Sequence, residues 1–233
     1  MKTLHKLPKN VIFCKKCLMS NQRPSSSPEF IKKTSAIDTA GFGLDGVCDA
    51  CKYAEIKKTI NWEHRLKELE KLCDKYRNQD GNHDVIVPGS GGKDSIFVAH
   101  FLKTKMGMNP LTVTWAPHEY TDVGLRNMRN WVSSGFANIT ITPNPEIHSK
   151  LTQNAFLNLV NPFQPFIIGQ RNIAPKIALQ KDIKLIMYGE NQAEAHNHLN
   201  ENYSSLMDAK HFTAKEGVEI FLGGKSLKEL SEE

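Results

Sequence analysis

The sequence predicts an α/β protein in which helices cover a parallel sheet and a small metal-binding module precedes that domain. Short β-rich runs alternate with helical patterns between residues 84 and 188, which is typical of parallel strands joined by helices. A glycine-rich loop at residues 88–95 leaves the first run and enters the next helix. Four of the five cysteines fall in two CxxC pairs before residue 52. We therefore place the module in residues 1–60 and the α/β domain in residues 61–233.

The composition is that of a folded globular chain. Apolar residues make up 39% and charged residues 24% of the 233 residues, and no apolar run reaches the length of a membrane span. Five cysteines are too few for a disulfide scaffold, so we expect a cytoplasmic protein. Residues 1–77 hold 16 Lys and Arg against 9 Asp and Glu. Solvated lysines beside a metal–thiolate site explain this basic segment, and a nucleic-acid partner is not expected.

The two cysteine pairs, Cys14-Lys15-Lys16-Cys17 and Cys48-Asp49-Ala50-Cys51, predict a bound Zn²⁺ ion. Each pair can place two sulfurs on one ion, and the two pairs together close a tetrahedral four-thiolate site. Residues 1–60 have little hydrophobic periodicity, so the metal would supply folding energy that an apolar core normally supplies. A redox dithiol and an iron–sulfur cluster are the competing interpretations. A closed shell of four sulfurs leaves no open position for catalysis, which favours a structural role.

The first predicted helix of the α/β domain runs from Asn61, its N-cap, to about Arg77. Apolar side chains recur every three or four residues along one face of this helix: Trp62, Leu66, Leu69, Cys73 and Tyr76. Cys73, the fifth cysteine, is therefore expected in the core.

Strands and helices then alternate to residue 188. The predicted strands are Asp84–Pro88, Leu111–Ala116, Asn138–Thr142 and Lys184–Tyr188. The predicted helices are Ser95–Met106, about Asp122–Ser134, Glu146–Val160 and Asn172–Lys181, with a proline-containing loop at residues 162–165. Structural signals weaken beyond Asn191, and residues 223–233 are charged and poor in apolar side chains.

The loop Pro88-Gly89-Ser90-Gly91-Gly92-Lys93-Asp94-Ser95 predicts a site for nucleotide phosphates. Its glycines can turn backbone amides toward one anion, and the helix N-terminus and the Lys93 ammonium add positive charge. A Walker A loop is excluded, because that pattern needs glycine at position 87, which is Val, and Ser or Thr where Asp94 stands. A plain strand-to-helix connection is the competing interpretation.

The loop resembles the pyrophosphate loop of the PP-loop ATP pyrophosphatases, whose Rossmann-like, adenine nucleotide alpha-hydrolase-like domain cleaves ATP between the α and β phosphates. More narrowly, the chain resembles the N-acetyl sugar amidotransferases of bacterial lipopolysaccharide, other surface-polysaccharide and flagellin-glycan synthesis. This resemblance covers about Cys14 to Asn191 and is carried by the cysteine pairs with Gly46-Val47, the Trp62 helix, the loop at 87–95, Thr142-Pro143-Asn144-Pro145 and Tyr188-Gly189-Glu190-Asn191. The stretch with His196 and His198 departs from the family, so a C-terminal acceptor-sugar region is expected to be missing or altered.

The resemblance implies an enzyme that converts the acetamido group of a sugar or sugar nucleotide into an acetamidino group. ATP would adenylate the amide oxygen with release of pyrophosphate, and ammonia from a separate glutaminase would displace AMP. The implied catalytic residues are Lys93, Asp94 and Glu190, with Asp94 or Glu190 as ligands of Mg²⁺. The implied ATP-binding residues are Ser90, Gly91, Gly92, Lys93, Asp94, Ser95, Thr114, Trp115 and Gly189. The sequence leaves open a core position for Trp115 and a helix-capping role for Glu190.

Two other functions compete with this one. A PP-loop tRNA-modifying enzyme of the thiolation type is the first, because zinc modules joined to this loop also occur in tRNA thiolases. Those enzymes need further reactive cysteines, and only Cys73 lies outside the zinc pairs here. A nucleotide-binding partner without catalysis is the second. No cysteine stands at the chain start or on a strand-to-helix elbow, so the ammonia is expected to come from a partner protein.

Overall fold

The structure is a computed structural model that describes residues 3, 6–24, 38–190, 198–202, 204–213 and 219–232. These residues form two compact units. The first unit draws on Met1–Ile60, Asn154–Gln164 and Glu190–Glu233, and the second on Asn61–Gln153 and Pro165–Gly189. The predicted division at residue 60 stays a prediction, because the first unit also includes later segments. Within the described ranges, no helix combines the length and apolar character needed to cross a membrane.

The second unit is built on a parallel sheet, as the sequence predicts. Its strands are β1 (Val85–Pro88), β2 (Pro110–Trp115) and β3 (Ala137–Ile141), in the order β1-β2-β3. Ile86 lies opposite Leu111, and Val113 lies opposite Ile139. The connecting helices are α3 (Lys93–Thr104) and α4 (Asp122–Ser133). The alternation of strands and helices therefore gives the predicted α/β architecture.

The fourth predicted strand, Lys184–Tyr188, is reduced to a single parallel bridge between Ile186 and Ile86. The Ile86 N–H donates to the Leu185 carbonyl at 2.9 Å, and the Met187 N–H donates to the Ile86 carbonyl at 2.9 Å. Successive residues of a strand present their hydrogen-bonding groups to opposite neighbours, so Pro88 is the next β1 residue on this edge. Proline has no N–H, and the pairing therefore ends after one bridge.

Helices cover both faces of the sheet. On one face, Val85 and Val87 pack against α2 (Trp62–Tyr76), α3 and α4; on the other face, Ile86, Leu111 and Val113 pack against α6 (Gln164–Lys181). The Asn61 side chain caps α2 by accepting a hydrogen bond from the His64 N–H at 3.0 Å. Cys73 is fully buried in the first cluster, which confirms its predicted core position.

Two features of these helices go beyond what the sequence pattern predicts. Trp62 and Leu66 belong to the apolar stripe of α2, but they remain 56% and 42% exposed because the first turns of the helix extend beyond the apolar cluster. Helix α6 begins at Gln164, eight residues before the predicted Asn172. Pro165 does not prevent this, because a residue in the first turn of a helix needs no N–H partner within the helix. Helix α5 (Pro145–Leu159) lies close to its predicted position.

The first unit contains short elements joined by side-chain hydrogen bonds. They are α1 (Asp49–Ile56), the 3₁₀ turns Lys57–Thr59, Leu199–Asn202 and Ala209–His211, a hairpin of β4 (Phe221–Leu222) and β5 (Lys225–Ser226), and α7 (Leu227–Ser231). The Gln164 side chain accepts from the Gly223 N–H at 2.9 Å and so ties the hairpin to the 154–164 segment. The Asp49 carboxylate accepts from the Leu199 N–H at 2.9 Å. Residues 199–202 are thereby joined to the cysteine-containing segment.

Candidate functional site

The sulfur atoms of Cys14, Cys17, Cys48 and Cys51 converge within 4.8 Å of one another. The Cys14 and Cys51 sulfurs are 3.9 Å apart, and the Cys17 and Cys48 sulfurs are 3.6 Å apart. A zinc ion with four sulfurs at about 2.3 Å in a tetrahedron requires sulfur–sulfur distances of about 3.8 Å. The four cysteines are therefore placed to bind one metal ion, and their spacing fits zinc.

Local backbone geometry brings each pair together. After Cys14 the chain turns sharply: the Leu18 N–H donates to the Cys14 carbonyl at 2.9 Å, and Leu18 itself has a φ of 61°. Cys48 stands immediately before α1, so Cys51 lies in the first turn of that helix. The Lys15 N–H donates to the Gly46 carbonyl at 3.1 Å and links the two turns.

The thiol groups have sharply different proton affinities, as expected for four sulfurs that share one small volume. Burial alone would raise the pKa of Cys14, but backbone N–H groups of Cys48, Cys17 and Lys16 outweigh it and lower that pKa to about 6. Burial and the neighbouring sulfurs raise the pKa of Cys51 to about 12. Without a cation the thiols cannot all ionise together, whereas a bound divalent ion favours the thiolate form of every ligand.

The glycine-rich loop ends sooner than predicted, because α3 begins at Lys93 and not at Ser95. Gly92 is the N-cap and offers no side chain to the first backbone N–H groups of the helix. Asp94 favours this early start, since an acidic residue in the first turn stabilises a helix. Lys93 and Asp94 therefore project from the helix itself, beside N–H groups available to an anion.

The glycines of the loop have different structural roles. Gly91 has a φ of 82°, and a Cβ atom there would lie 2.4 Å from the Asn127 carbonyl oxygen. A Cβ atom at Gly89 would lie 2.3 Å from the Ser95 Cβ atom. Gly92 has a φ of −70°, and a Cβ atom there would meet nothing within 4 Å. Packing thus explains the first two glycines, whereas the fold does not require glycine at position 92.

The charged side chains of this site are exposed to solvent. The Lys93 ammonium lies 2.7 Å from one Asp94 carboxylate oxygen, and the two side chains are 88% and 61% exposed. Ser90 is also exposed, and the Ser95 hydroxyl donates to the Gly92 carbonyl at 3.1 Å. An exposed ion pair between neighbouring residues contributes little to stability, so both charges are available to a ligand.

Thr114 of β2 holds the glycine-rich loop through a hydrogen bond. Its buried hydroxyl donates to the Gly89 carbonyl at 2.7 Å and thereby joins the loop to the central strand. The Asn138 side-chain amide in turn donates to the hydroxyl of Thr112 at 2.8 Å and lies 3.3 Å from that of Thr114. The structure therefore gives Thr114 a positioning role toward the loop.

Trp115 and Gly189 fit tightly against neighbouring backbone. A Cβ atom at Gly169 of α6 would lie 2.3–2.6 Å from the Trp115 indole, so the ring packs closely against that helix. This contact favours the core position that the sequence left open for Trp115. A Cβ atom at Gly189 would lie 2.9 Å from the Asp94 carbonyl carbon, which places Gly189 beside the first turn of α3.

The predicted residues from Glu190 onward belong to the first unit or lie outside the described residues. Glu190 is exposed and belongs to the first unit, so its role beside Lys93 and Asp94 stays a prediction. Asn191 and His196 lie outside the described residues. His198 lies 3.0 Å from an Asp38 carboxylate oxygen in the first unit.

Sequence reasoning missed a histidine pair beyond the carboxyl ends of β2 and β3. The rings of His118 and His148 stack with their centres 4.0 Å apart, and His148 is only 4% exposed. One signal was available: His148 shares a helical stripe with the inward-facing residues Ala155 and Leu159 of α5. A histidine in such a stripe is expected to be buried.

The chain is similar to a known protein over part of its length. No family model matches the chain. A stretch of 67 residues, 29% of the chain, is 34% identical to an uncharacterized protein of Methanocaldococcus jannaschii. The chain spans about a quarter of the length of that relative, 24%. Activity and partners are therefore proposed from the site itself.

Proposed function

We propose that the protein is an ATP-dependent amidotransferase that converts the acetamido group of a sugar into an acetamidino group, as expected of an N-acetyl sugar amidotransferase with a PP-loop domain. The position of Gly92 at the start of α3, with open space around it, is the observation that supports nucleotide binding. Gly92 caps a twelve-residue helix beyond the carboxyl end of a parallel strand, where such sheets bind ligands, and packing gives no reason for glycine there. Close approach of a phosphate group to the backbone would explain why glycine stands at this position.

The loop residues would act mainly by positioning and by charge. The N–H groups at the start of α3 and the Lys93 ammonium would hold the β and γ phosphates as they leave as pyrophosphate. Asp94 offers carboxylate oxygens suited to Mg²⁺, which would neutralise charge on the phosphates when bound. Thr114 would keep the loop in place through its hydrogen bond to Gly89.

The proposed reaction has two steps. The acetamido oxygen attacks the α phosphorus of ATP, the bond to the bridging oxygen breaks, and pyrophosphate leaves. Ammonia then attacks the imidate carbon, the carbon–oxygen bond to AMP breaks, and the attacking nitrogen loses a proton. Adenylation is needed because an amide carbonyl is a poor electrophile and oxide is a poor leaving group. The ammonia would come from a separate glutaminase, and the reaction would take place in the cytoplasm, where ATP is formed.

The four-cysteine site would hold a structural zinc ion within the first unit. Its four sulfurs complete a tetrahedral shell, which leaves no position for a substrate. The tRNA-thiolation alternative is disfavoured by Cys73, because burial raises the pKa of this thiol and makes it a poor nucleophile.

Product analysis with the purified chain tests this function. With ATP, an acetamido sugar nucleotide and ammonium at alkaline pH, we expect AMP and pyrophosphate, and we expect Lys93→Ala to abolish their formation without unfolding the protein. Glutamine should replace ammonia only when a glutaminase is added. ADP and phosphate as products, or glutamine-dependent turnover by this chain alone, would contradict the proposal.

A further inference from the structure

A cluster of aromatic side chains in the second unit lies beyond the carboxyl ends of β2 and β3, and the proposed phosphate loop does not use it. His148 of α5 stacks on His118, and its ring centre lies 6.3 Å from that of Trp115 and 6.4 Å from that of Phe166. The His118 side chain is exposed and lies 3.0 Å from the Thr152 hydroxyl through its Nε2 atom. His118 therefore covers one face of His148.

Three buried nitrogen atoms of this cluster lack a hydrogen-bond partner among the described residues. They are both ring nitrogens of His148 and the Trp115 Nε1 atom. Buried polar groups are nearly always paired, so three unpaired nitrogens on two rings whose centres lie 6.3 Å apart indicate that a further polar group belongs there. Burial, followed by the nearby His118, lowers the pKa of His148 and keeps its ring neutral. A neutral imidazole offers one donor and one acceptor.

A metal ion does not suit these nitrogens. The planes of the two imidazole rings are inclined by only 26°, so their in-plane lone pairs run nearly side by side and do not converge on one point. The described part of the chain also places no third Asp, Glu, Cys or His ligand beside them. An anion fits no better, because the unprotonated nitrogen of His148 would repel it.

We propose that His148 and the Trp115 indole N–H form the recognition site for the acetamido group of the sugar. An amide offers a carbonyl oxygen to an N–H donor and an N–H to the unprotonated His148 nitrogen, which is the complement of what these side chains provide. The acetamido methyl group would pack against the surrounding aromatic rings. Movement of the exposed His118 ring would open His148 to this group. The inference rests on the proposed function for its substrate and names the residues that select the reacting amide.

The experiment is a binding measurement on the full chain without ATP, so it does not depend on turnover. The probe is N-acetylglucosamine, and glucose, in which a hydroxyl group replaces the acetamido group, is the matched control. Nitrogen-15 NMR follows the Trp115 indole N–H, assigned with Trp115→Phe, and the ring nitrogens of His148. We expect these signals to move with N-acetylglucosamine and to stay unchanged with glucose or with ATP.

Two variants of one residue provide the control for folding. His148→Gln keeps a neutral donor and acceptor and should bind N-acetylglucosamine within about threefold of the wild type, whereas His148→Phe should bind at least about tenfold more weakly. No signal movement up to the solubility limit, equal movement with glucose, or movement with ATP in place of the sugar would overturn the inference. Sugar-specific movement together with a failure to form AMP would support this site and reject the proposed reaction.

Discussion

Alanine substitutions at two neighbouring glycines of the glycine-rich loop should separate the needs of the fold from those of the proposed ligand. At Gly91, alanine would adopt a φ of 82° and place a methyl group 2.4 Å from the Asn127 carbonyl oxygen. Left-handed backbone costs about 1–2 kcal/mol for a residue with a Cβ atom, and overpacking costs about 1–3 kcal/mol. We therefore expect Gly91→Ala to lower the free energy of unfolding by about 2–5 kcal/mol.

At Gly92 the same substitution should leave the fold intact. Its φ of −70° suits alanine, and the added methyl group would meet nothing within 4 Å. Reduced freedom of the unfolded chain favours alanine by about 0.4–1 kcal/mol, whereas an N-cap position favours glycine over alanine by a similar amount, so Gly92→Ala should stay within about 1 kcal/mol of the wild type. The methyl group would nevertheless lie where the proposed function brings a phosphate group to the backbone, so ATP affinity should fall about tenfold or more.

Urea unfolding measures the first effect, and calorimetric titration with ATP measures the second. Gly92→Ala is the matched control for Gly91→Ala, because both add one methyl group to the same loop. Wild-type ATP affinity in Gly92→Ala would refute the ligand explanation for this glycine. A Gly91→Ala protein as stable as the wild type would refute the packing argument.

Three further predictions concern other parts of the molecule. Cys48→Ser should reduce bound zinc to well below one equivalent and destabilise the first unit, measured by metal analysis and by proteolysis at residues 38–60, while ATP binding persists. Thr114→Val should lower the free energy of urea unfolding by about 1–3 kcal/mol, because the Gly89 carbonyl loses its partner. Folding lowers the pKa of His148, so as the pH drops the unfolded chain protonates this histidine at about pH 6.5, before the folded chain does. The free energy of unfolding should therefore fall as the pH drops below about 6.5. Between pH 7 and pH 5 the free energy of unfolding should change less with pH for His148→Gln than for the wild type. His118 is present in both proteins, so its own protonation does not account for the difference.

Local patterns predicted most of the second unit, and long-range contacts account for what they missed. Asn61 marks the start of α2 correctly, because an N-cap acts through its own neighbouring backbone. The exposure of Trp62 depends on where the apolar cluster ends, which helical spacing cannot reveal. Likewise, the loss of the fourth strand depends on Pro88 of a different strand, opposite the segment concerned.

The candidate sites divide in the same way. Cysteine spacing was sufficient to predict the metal-binding cluster, since four sulfurs in two short turns have few other arrangements. The glycines of the loop look alike in the sequence, and only the folded backbone conformation and the position of Asn127 distinguish Gly91 from Gly92. The His118–His148 pair joins residues from separate elements, so neither histidine carries a sequence signal of the stack itself.

The hydrogen bond between Asp49 and Leu199 can form only late in translation, because it joins an early residue to a late one. The two residues are 150 positions apart, so at about 5–20 residues per second the ribosome needs roughly 8–30 s to deliver the second partner after the first. The cysteine pairs are complete as soon as Cys51 emerges, so all four candidate metal ligands are present in the nascent chain from that point. The first unit thus begins first and is finished last, because the segments of the second unit are synthesised before Glu190–Glu233, the last segment of the first unit.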